Sequence, residues 1–138
     1  TATLIADETQ RLNFLPKLFG NYFIQGESLV YDYMKRFCPQ YKSGYWDYFS
    51  LSNGSGFMAM KAKTDEKLGF EISSNHFREQ LSTQAAGIVV TIYALTNLGN
   101  RIYDSNQDEA EKFFERYHEL CAYSRELPEW DLIRRAID

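Results

Sequence analysis

Between Asn21 and Phe37 the apolar side chains fall at Tyr22, Phe23, Leu29, Val30, Tyr33, Met34 and Phe37. Spacings of three and four set them on one face of a helix. Gly26 weakens that helix by about 1 kcal/mol relative to alanine. Cys38-Pro39 ends it, because a residue before proline avoids the α region. Upstream, Asn13 to Gly20 is apolar but interrupted by Pro16, which predicts short helical turns. The pattern then changes. Tyr45 to Leu51 is rich in aromatic residues with a strand bias. Asn53-Gly54-Ser55-Gly56 is a turn signal, because Asn and Gly tolerate positive φ. Phe57 to Ala62 is the expected returning strand. Lys63 to Lys67 forms a charged turn, Leu68 to Ser73 a third strand, and Arg78 to Leu81 a short fourth. Consecutive strands of this kind predict one antiparallel meander over residues 45–81.

Two long helices come next. Ser82 or Thr83 can cap a helix running to Leu98, with Gly99 as its C′ residue. Ile88, Val89, Val90, Ile92, Tyr93 and Leu95 cover nearly its whole circumference, so it is expected to be buried at the centre. Gln107 to Glu126 is amphipathic. Ala110, Phe113, Phe114, Tyr117, Leu120 and Cys121 form its inner face, and Asp108, Glu111, Lys112, Glu115, Arg116 and Glu119 its outer face. Pro128 opens a last short helix through Ile137. The expected class is α+β: a small antiparallel sheet packed with N-terminal helices, a buried central helix and C-terminal helices.

With 138 residues the chain has room for one domain, residues 1–138. Ten Tyr, ten Phe and two Trp can fill an aromatic core. The net charge of −4 arises after residue 100: residues 101–138 carry ten acids and six bases, whereas residues 1–100 carry nine of each. A basic footprint is absent, so direct nucleic-acid binding is disfavoured. The first ten residues have neither a basic n-region nor an apolar h-region. The apolar stretch Ala85 to Leu95 is shorter than the roughly 20 residues needed to cross a bilayer. A soluble, cytoplasmic protein is expected, with no membrane partner and with Cys38 and Cys121 as reduced thiols.

Candidate chemistry is sparse. His118 and Cys121 are one helical turn apart, but a zinc site needs two further ligands and no second close pair exists. Cys38 paired with His76 or His118 would make a thiol dyad. Its place at a helix C-terminus, however, raises rather than lowers a thiol pKa. Gly54-Ser55-Gly56 matches neither a phosphate loop nor a nucleophile elbow, and the sequon Asn53-Gly54-Ser55 has no meaning in the cytosol. Glu71 and Asp47, on adjacent strand candidates, are a possible carboxylate pair. Tyr45, Trp46, Tyr48, Phe49 and Phe57 could stack bases, yet the hairpin has no arginine and core packing explains them. No catalytic residue, metal site or cofactor is assigned.

One long block carries more information. It contains Leu12-Asn13-Phe14-Leu15-Pro16, Phe19-Gly20, Tyr22-Phe23, Gly26-Glu27, Val30-Tyr31, Met34 and Cys38-Pro39. Gly44-Tyr45-Trp46 and Leu51-Ser52-Asn53-Gly54 follow, and later Ala85-Ala86-Gly87-Ile88-Val89. Across residues 11–125 the chain resembles the antirestriction family typified by ArdB and KlcA, usually carried on plasmids and genomic islands. It departs from that pattern at Ser43-Gly44 and Asp47-Tyr48, where other members tend to have two glycines and two aromatics. The resemblance implies an α+β fold without known catalytic residues. It also implies relief of type I restriction, so that unmodified plasmid or phage DNA survives in the cell. The implied partner is the type I restriction-modification complex or an associated host factor, met by a non-enzymatic interaction. A small hydrolase-like or metal-dependent enzyme acting on the restriction machinery is the alternative.

Duplex DNA carries a charge every ~1.7 Å, so a mimic of ten base pairs needs about 20 ordered negative charges. A net charge of −4 falls well short of that. The surfaces left as candidates for interaction are the acidic helix face, Asp108, Glu111, Glu115 and Glu119, and the loops around Asn53 and Asp65.

Overall fold

The computed structural model describes residues 1–61, 63 and 65–138. A short strand β1 (Ala2–Leu4) precedes helix α1 (Glu8–Phe19), and one 3-10 turn (Gly20–Tyr22) leads into α2 (Phe23–Phe37). Strands β2 (Trp46–Leu51), β3 (Gly56–Met60), β4 (Lys67–Ile72) and β5 (Phe77–Ser82) follow. Helices α3 (Thr83–Ile102), α4 (Gln107–Ser124) and α5 (Trp130–Ile137) complete the chain. The protein is α+β.

The predicted meander divides into two antiparallel sheets, β1-β2-β3 and β4-β5. The expected returning strand ended on Ala62 and the charged turn crossed Thr64; both residues lie outside the described ones. The division follows from what each hairpin covers. Strand β1 takes the free edge of β2, with Thr3 opposite Ser50. Leu68, Phe70 and Ile72 of β4 point inward, and Phe70 meets Phe37 of α2 at 6.2 Å between ring centroids. The second hairpin thus roofs the α2 side of the core instead of extending the first sheet.

Helix α3 is the pillar that the other elements surround. Ser82 caps it, its hydroxyl accepting from the Ala85 N–H at 3.1 Å. The Glu129 carboxylate accepts from both the Ser82 N–H and the Ser82 hydroxyl. Fourteen of its side chains or glycines are buried, as the all-round apolar pattern requires. At Gly87 the helix lies directly against β3: a Cβ there would stand 2.1 Å from the Met58 carbonyl oxygen. Thr91, completely buried, accepts from the Met58 N–H at 3.2 Å and so satisfies a strand donor from the helix side.

Two helices differ from the sequence expectation. Gly99 does not stop α3, which continues to Ile102. Its missing Cβ makes room for Phe114 of α4, whose ring would lie 2.7 Å from such an atom. Near the N-terminus, Pro16 sits inside a continuous helix. The bond it forfeits would have gone to the carbonyl of Leu12, in an exposed turn where water can replace it. Asp7 caps that helix, accepting from the Gln10 N–H at 3.0 Å.

Candidate interaction surface

Helix α4 begins at Asn106, whose side chain accepts from the Glu109 N–H at 3.3 Å. Asp108 and Glu109 in the first turn complement the positive end of the helix dipole. Ala110, Phe113, Leu120 and Cys121 are buried beneath the helix. Asp108, Glu111 and Glu115 project to solvent. Gln107 donates to Glu111 at 3.1 Å, and Lys112 is drawn to Glu109 at 3.8 Å. Among the described residues, Asp108, Glu111 and Glu115 have no cationic partner.

Arg116 and Glu119, expected on this outer face, turn aside and are half-buried under the β2–β3 turn, paired with each other at 3.0 Å. The turn docks on the backbone of α4. Asn53 donates from its side-chain amide to the Glu119 carbonyl at 2.7 Å, and Ser55 donates its hydroxyl to the Arg116 carbonyl at 2.8 Å. Within the turn the Asn53 side-chain oxygen accepts from the Ser55 N–H at 3.2 Å. Gly54 has φ 104°. Asn53 and Glu119 therefore meet in one seam, in which the Glu119 carboxylate is paired with Arg116 and turned from the outward face of Asp108, Glu111 and Glu115. Asp65 does not join them. It lies at φ 61° beside Ser82, Thr83 and Glu129 at the start of α3.

The groups weighed for chemistry are kept apart. Asp47 lies in the first sheet and Glu71 in the second, where Glu71 pairs with Arg78 at 3.0 Å; the two carboxylates are not neighbours. Cys38 is fully buried, and burial pushes its thiol above its ordinary value. His76 and His118 are both exposed. His118 rests its ring against Tyr117, while Cys121 is turned inward and its thiol is likewise raised by burial.

The aromatic hairpin is built into the core except for Tyr45, which core packing does not explain because it is exposed. Trp46 and Phe57 are buried, Tyr48 stacks on Phe14 at 4.7 Å, and Phe49 stacks on Phe57 at 4.8 Å. The sequence reading missed Arg11. From α1 its guanidinium lies over Tyr48 and Tyr45, at 4.3 and 4.8 Å, and donates to the Trp46 carbonyl at 3.0 Å. Tyr31 donates to Glu27 at 3.2 Å, and burial together with that carboxylate pushes the Tyr31 phenol up. The Arg11 contacts join residues far apart in sequence, where no local pattern signals them, whereas Tyr31 and Glu27 are one helical turn apart on α2.

No helix among the described residues is long and apolar enough to cross a membrane. Among them, no three His, Cys, Asp or Glu side chains gather as a metal-binding group.

The sequence profile of the antirestriction protein family matches residues 39–138. The antirestriction protein KlcA of Escherichia coli is 42% identical, the alignment covering 100% of this chain and 94% of that protein. A second KlcA of Escherichia coli is 40% identical over 99% of this chain and 92% of its own length. The fold matches a solved structure at a TM-score of 0.88 and 43% identity, covering 100% of this chain and 94% of the other. The work on that structure describes KlcA and ArdB as having a novel fold and antirestriction activity against type I DNA restriction systems in vivo but not in vitro. This chain belongs to the antirestriction protein family.

Proposed function

We propose that the protein relieves type I restriction of incoming unmodified DNA, and that it does so by binding, directly or through a host factor, without chemistry of its own. The observation that carries this reading is the end-to-end likeness to KlcA in both sequence and fold. For KlcA and ArdB the activity is described as seen in vivo but not in vitro. A cellular component absent from purified mixtures accounts for such a difference.

The geometry supports a binding role and argues against imitation of duplex DNA. From Asp108 to Glu115 the helix rises about 10 Å. Over the same length a duplex presents about six phosphates, against the three outward carboxylates of α4. A stripe of that density suits a few ion pairs with a protein partner. Asp108, Glu111 and Glu115 are the proposed contact residues, with Asn53 and Glu119 holding the stripe's far end in place. Asp65 belongs to a separate surface.

Plating of unmodified phage on cells with a type I system tests both parts. Expression of the protein should restore plating, and the surviving phage should carry normal methylation. The triple variant Asp108→Asn, Glu111→Gln, Glu115→Gln should fold with stability lowered by no more than about 1 kcal/mol, chiefly from the lost Asp108 charge at the helix N-terminus, yet lose most of the protection. Full protection by the folded triple variant would remove this face from the mechanism. No protection by the wild-type chain in a strain that KlcA protects would refute the functional reading.

A further inference from the structure

A cleft of about 790 Å3 opens between α2 and the turn of the β4–β5 hairpin, on a part of the molecule that the acidic stripe does not include. That volume lies in the range of small-molecule sites, roughly 300–1,000 Å3. Its floor is aromatic. Tyr93 of α3 lies 5.2 Å from Tyr33 and 5.0 Å from Phe37, between ring centroids. The two phenols are held in place, Tyr33 accepting from the Asn97 amide at 2.8 Å and Tyr93 donating to the Ala136 carbonyl at 2.7 Å. Each phenol of the floor is thus oriented by a hydrogen bond of its own.

The rim carries donors that the fold does not use. Arg36 lies over the Tyr33 ring at 5.2 Å. Among the described residues, neither Arg36 nor His76 has a hydrogen-bonding or carboxylate partner within the chain. The cleft's carboxylate, Glu71, is already neutralised by Arg78. Arg36, Arg78 and Glu71 together leave the lining one net positive charge, in a chain whose overall charge is −4.

His76 is held at the rim by force of its surroundings. It adopts φ 60°, a left-handed conformation uncommon for residues other than glycine, although histidine is among those enriched there. Asn75 fixes it from the preceding position. The Asn75 side-chain oxygen accepts from the Phe77 N–H at 3.1 Å, while its amide donates to the Ala136 and Asp138 carbonyls at 2.8 and 3.1 Å. A non-glycine residue clamped in such a conformation, with a free imidazole facing a cleft, is a pattern associated with ligand sites.

We infer that this cleft binds a mononucleotide, its base on the Tyr33–Phe37–Tyr93 floor and its phosphate between Arg36 and His76. The partly exposed Tyr33 and Tyr93 rings, inclined by 39° to each other, offer an aromatic surface on which one planar base can pack, and a compact anion suits the guanidinium and imidazole donors. A long polyanion suits neither the small cationic lining nor the acidic chain.

Amide-resolved NMR titration of the full chain tests this with adenosine monophosphate, adenosine, inorganic phosphate and a short single-stranded DNA as separate probes. The monophosphate should shift resonances around Tyr33, Arg36, His76 and Tyr93 in the millimolar range or below. Adenosine and phosphate alone should bind about tenfold more weakly, as should the monophosphate to an Arg36→Gln variant with an unchanged spectrum. Absence of shifts with the monophosphate would overturn the inference. So would equal affinity for phosphate alone, undiminished binding to the variant, or binding of the DNA strand only. The readout does not depend on restriction, so its failure leaves the proposed function standing.

Discussion

The two hairpins are built on the same plan. In each, an asparagine opens the turn, its side-chain oxygen accepting from the N–H two residues on: Asn53 from Ser55, Asn75 from Phe77. In each, the amide of that side chain donates to carbonyls of a C-terminal helical segment, Glu119 in α4 and Ala136 in α5. In each, the following residue has positive φ, Gly54 at 104° and His76 at 60°. They differ in what stands at that residue. Gly54 faces Arg116 and Glu119, where an added Cβ would make ordinary contact at 3.4–3.5 Å, and the first turn is given over to docking. His76 is exposed at a cleft. The shared plan shows how a sheet turn is locked to a helix; the difference shows where a side chain is kept although glycine would suit the backbone.

The largest expected effect tests the Gly54 half of the comparison. A side chain at φ 104° is strained by about 1–3 kcal/mol, and Gly54→Val should destabilise by about 2 kcal/mol. That corresponds to a melting point lower by roughly 6–8 °C in thermal unfolding followed by circular dichroism. A change below about 0.5 kcal/mol would mean that the turn is not held as described.

Next in size are Asn53→Ala and Asn75→Ala. Asn53→Ala removes the turn's internal bond and one tie to a helix carbonyl, and Asn75→Ala the internal bond and two ties to C-terminal carbonyls, at about 1 kcal/mol per bond before relaxation. Both should lower stability by about 1–2 kcal/mol, measured by urea denaturation. If the plan is common, both variants lose stability, Asn75→Ala by up to about 1 kcal/mol more for its extra tie, and the losses add in the double variant, the sites sharing no partners. A loss at one site alone would show that only one hairpin depends on its asparagine.

The same pair explains what could be read from the sequence. Asn53-Gly54 is a local signal, because glycine after asparagine announces positive φ, and the first turn was predictable from it. Asn75-His76 gives no such signal, so the second turn's geometry was hidden although its bonding is equivalent. Helices α2, α3 and α4 were legible from apolar spacing, and Ser82 from its capping chemistry. Gly99 was misread as a helix end because a glycine chosen for close packing looks the same in sequence as one chosen for a cap. Strand β1 carries no alternating pattern and exists because β2 offers an edge. Of the candidate surface, Asp108, Glu111 and Glu115 followed from helical periodicity. The turning aside of Glu119 and the separation of Asp65 depend on tertiary docking, which periodicity does not encode.

The smallest expected effect concerns His76, and its sign matters more than its size. A residue with a Cβ in the left-handed region is disfavoured by about 1–2 kcal/mol relative to glycine. Glycine in turn loses more backbone entropy on folding, by about 0.5–1 kcal/mol. Because the imidazole makes no hydrogen bond within the described structure, these two effects dominate. His76→Gly should therefore leave stability unchanged or raise it by up to about 1 kcal/mol, seen as a melting point equal to or slightly above that of the wild type. The Asn75 clamp is left intact by this change, so the cleft keeps its shape and loses one donor. A destabilised His76→Gly would show that the imidazole supports the fold, and the two turns would then differ only in degree. A stable one would mean that the second turn carries a histidine for a reason outside folding, which is the condition the cleft needs in order to be a site.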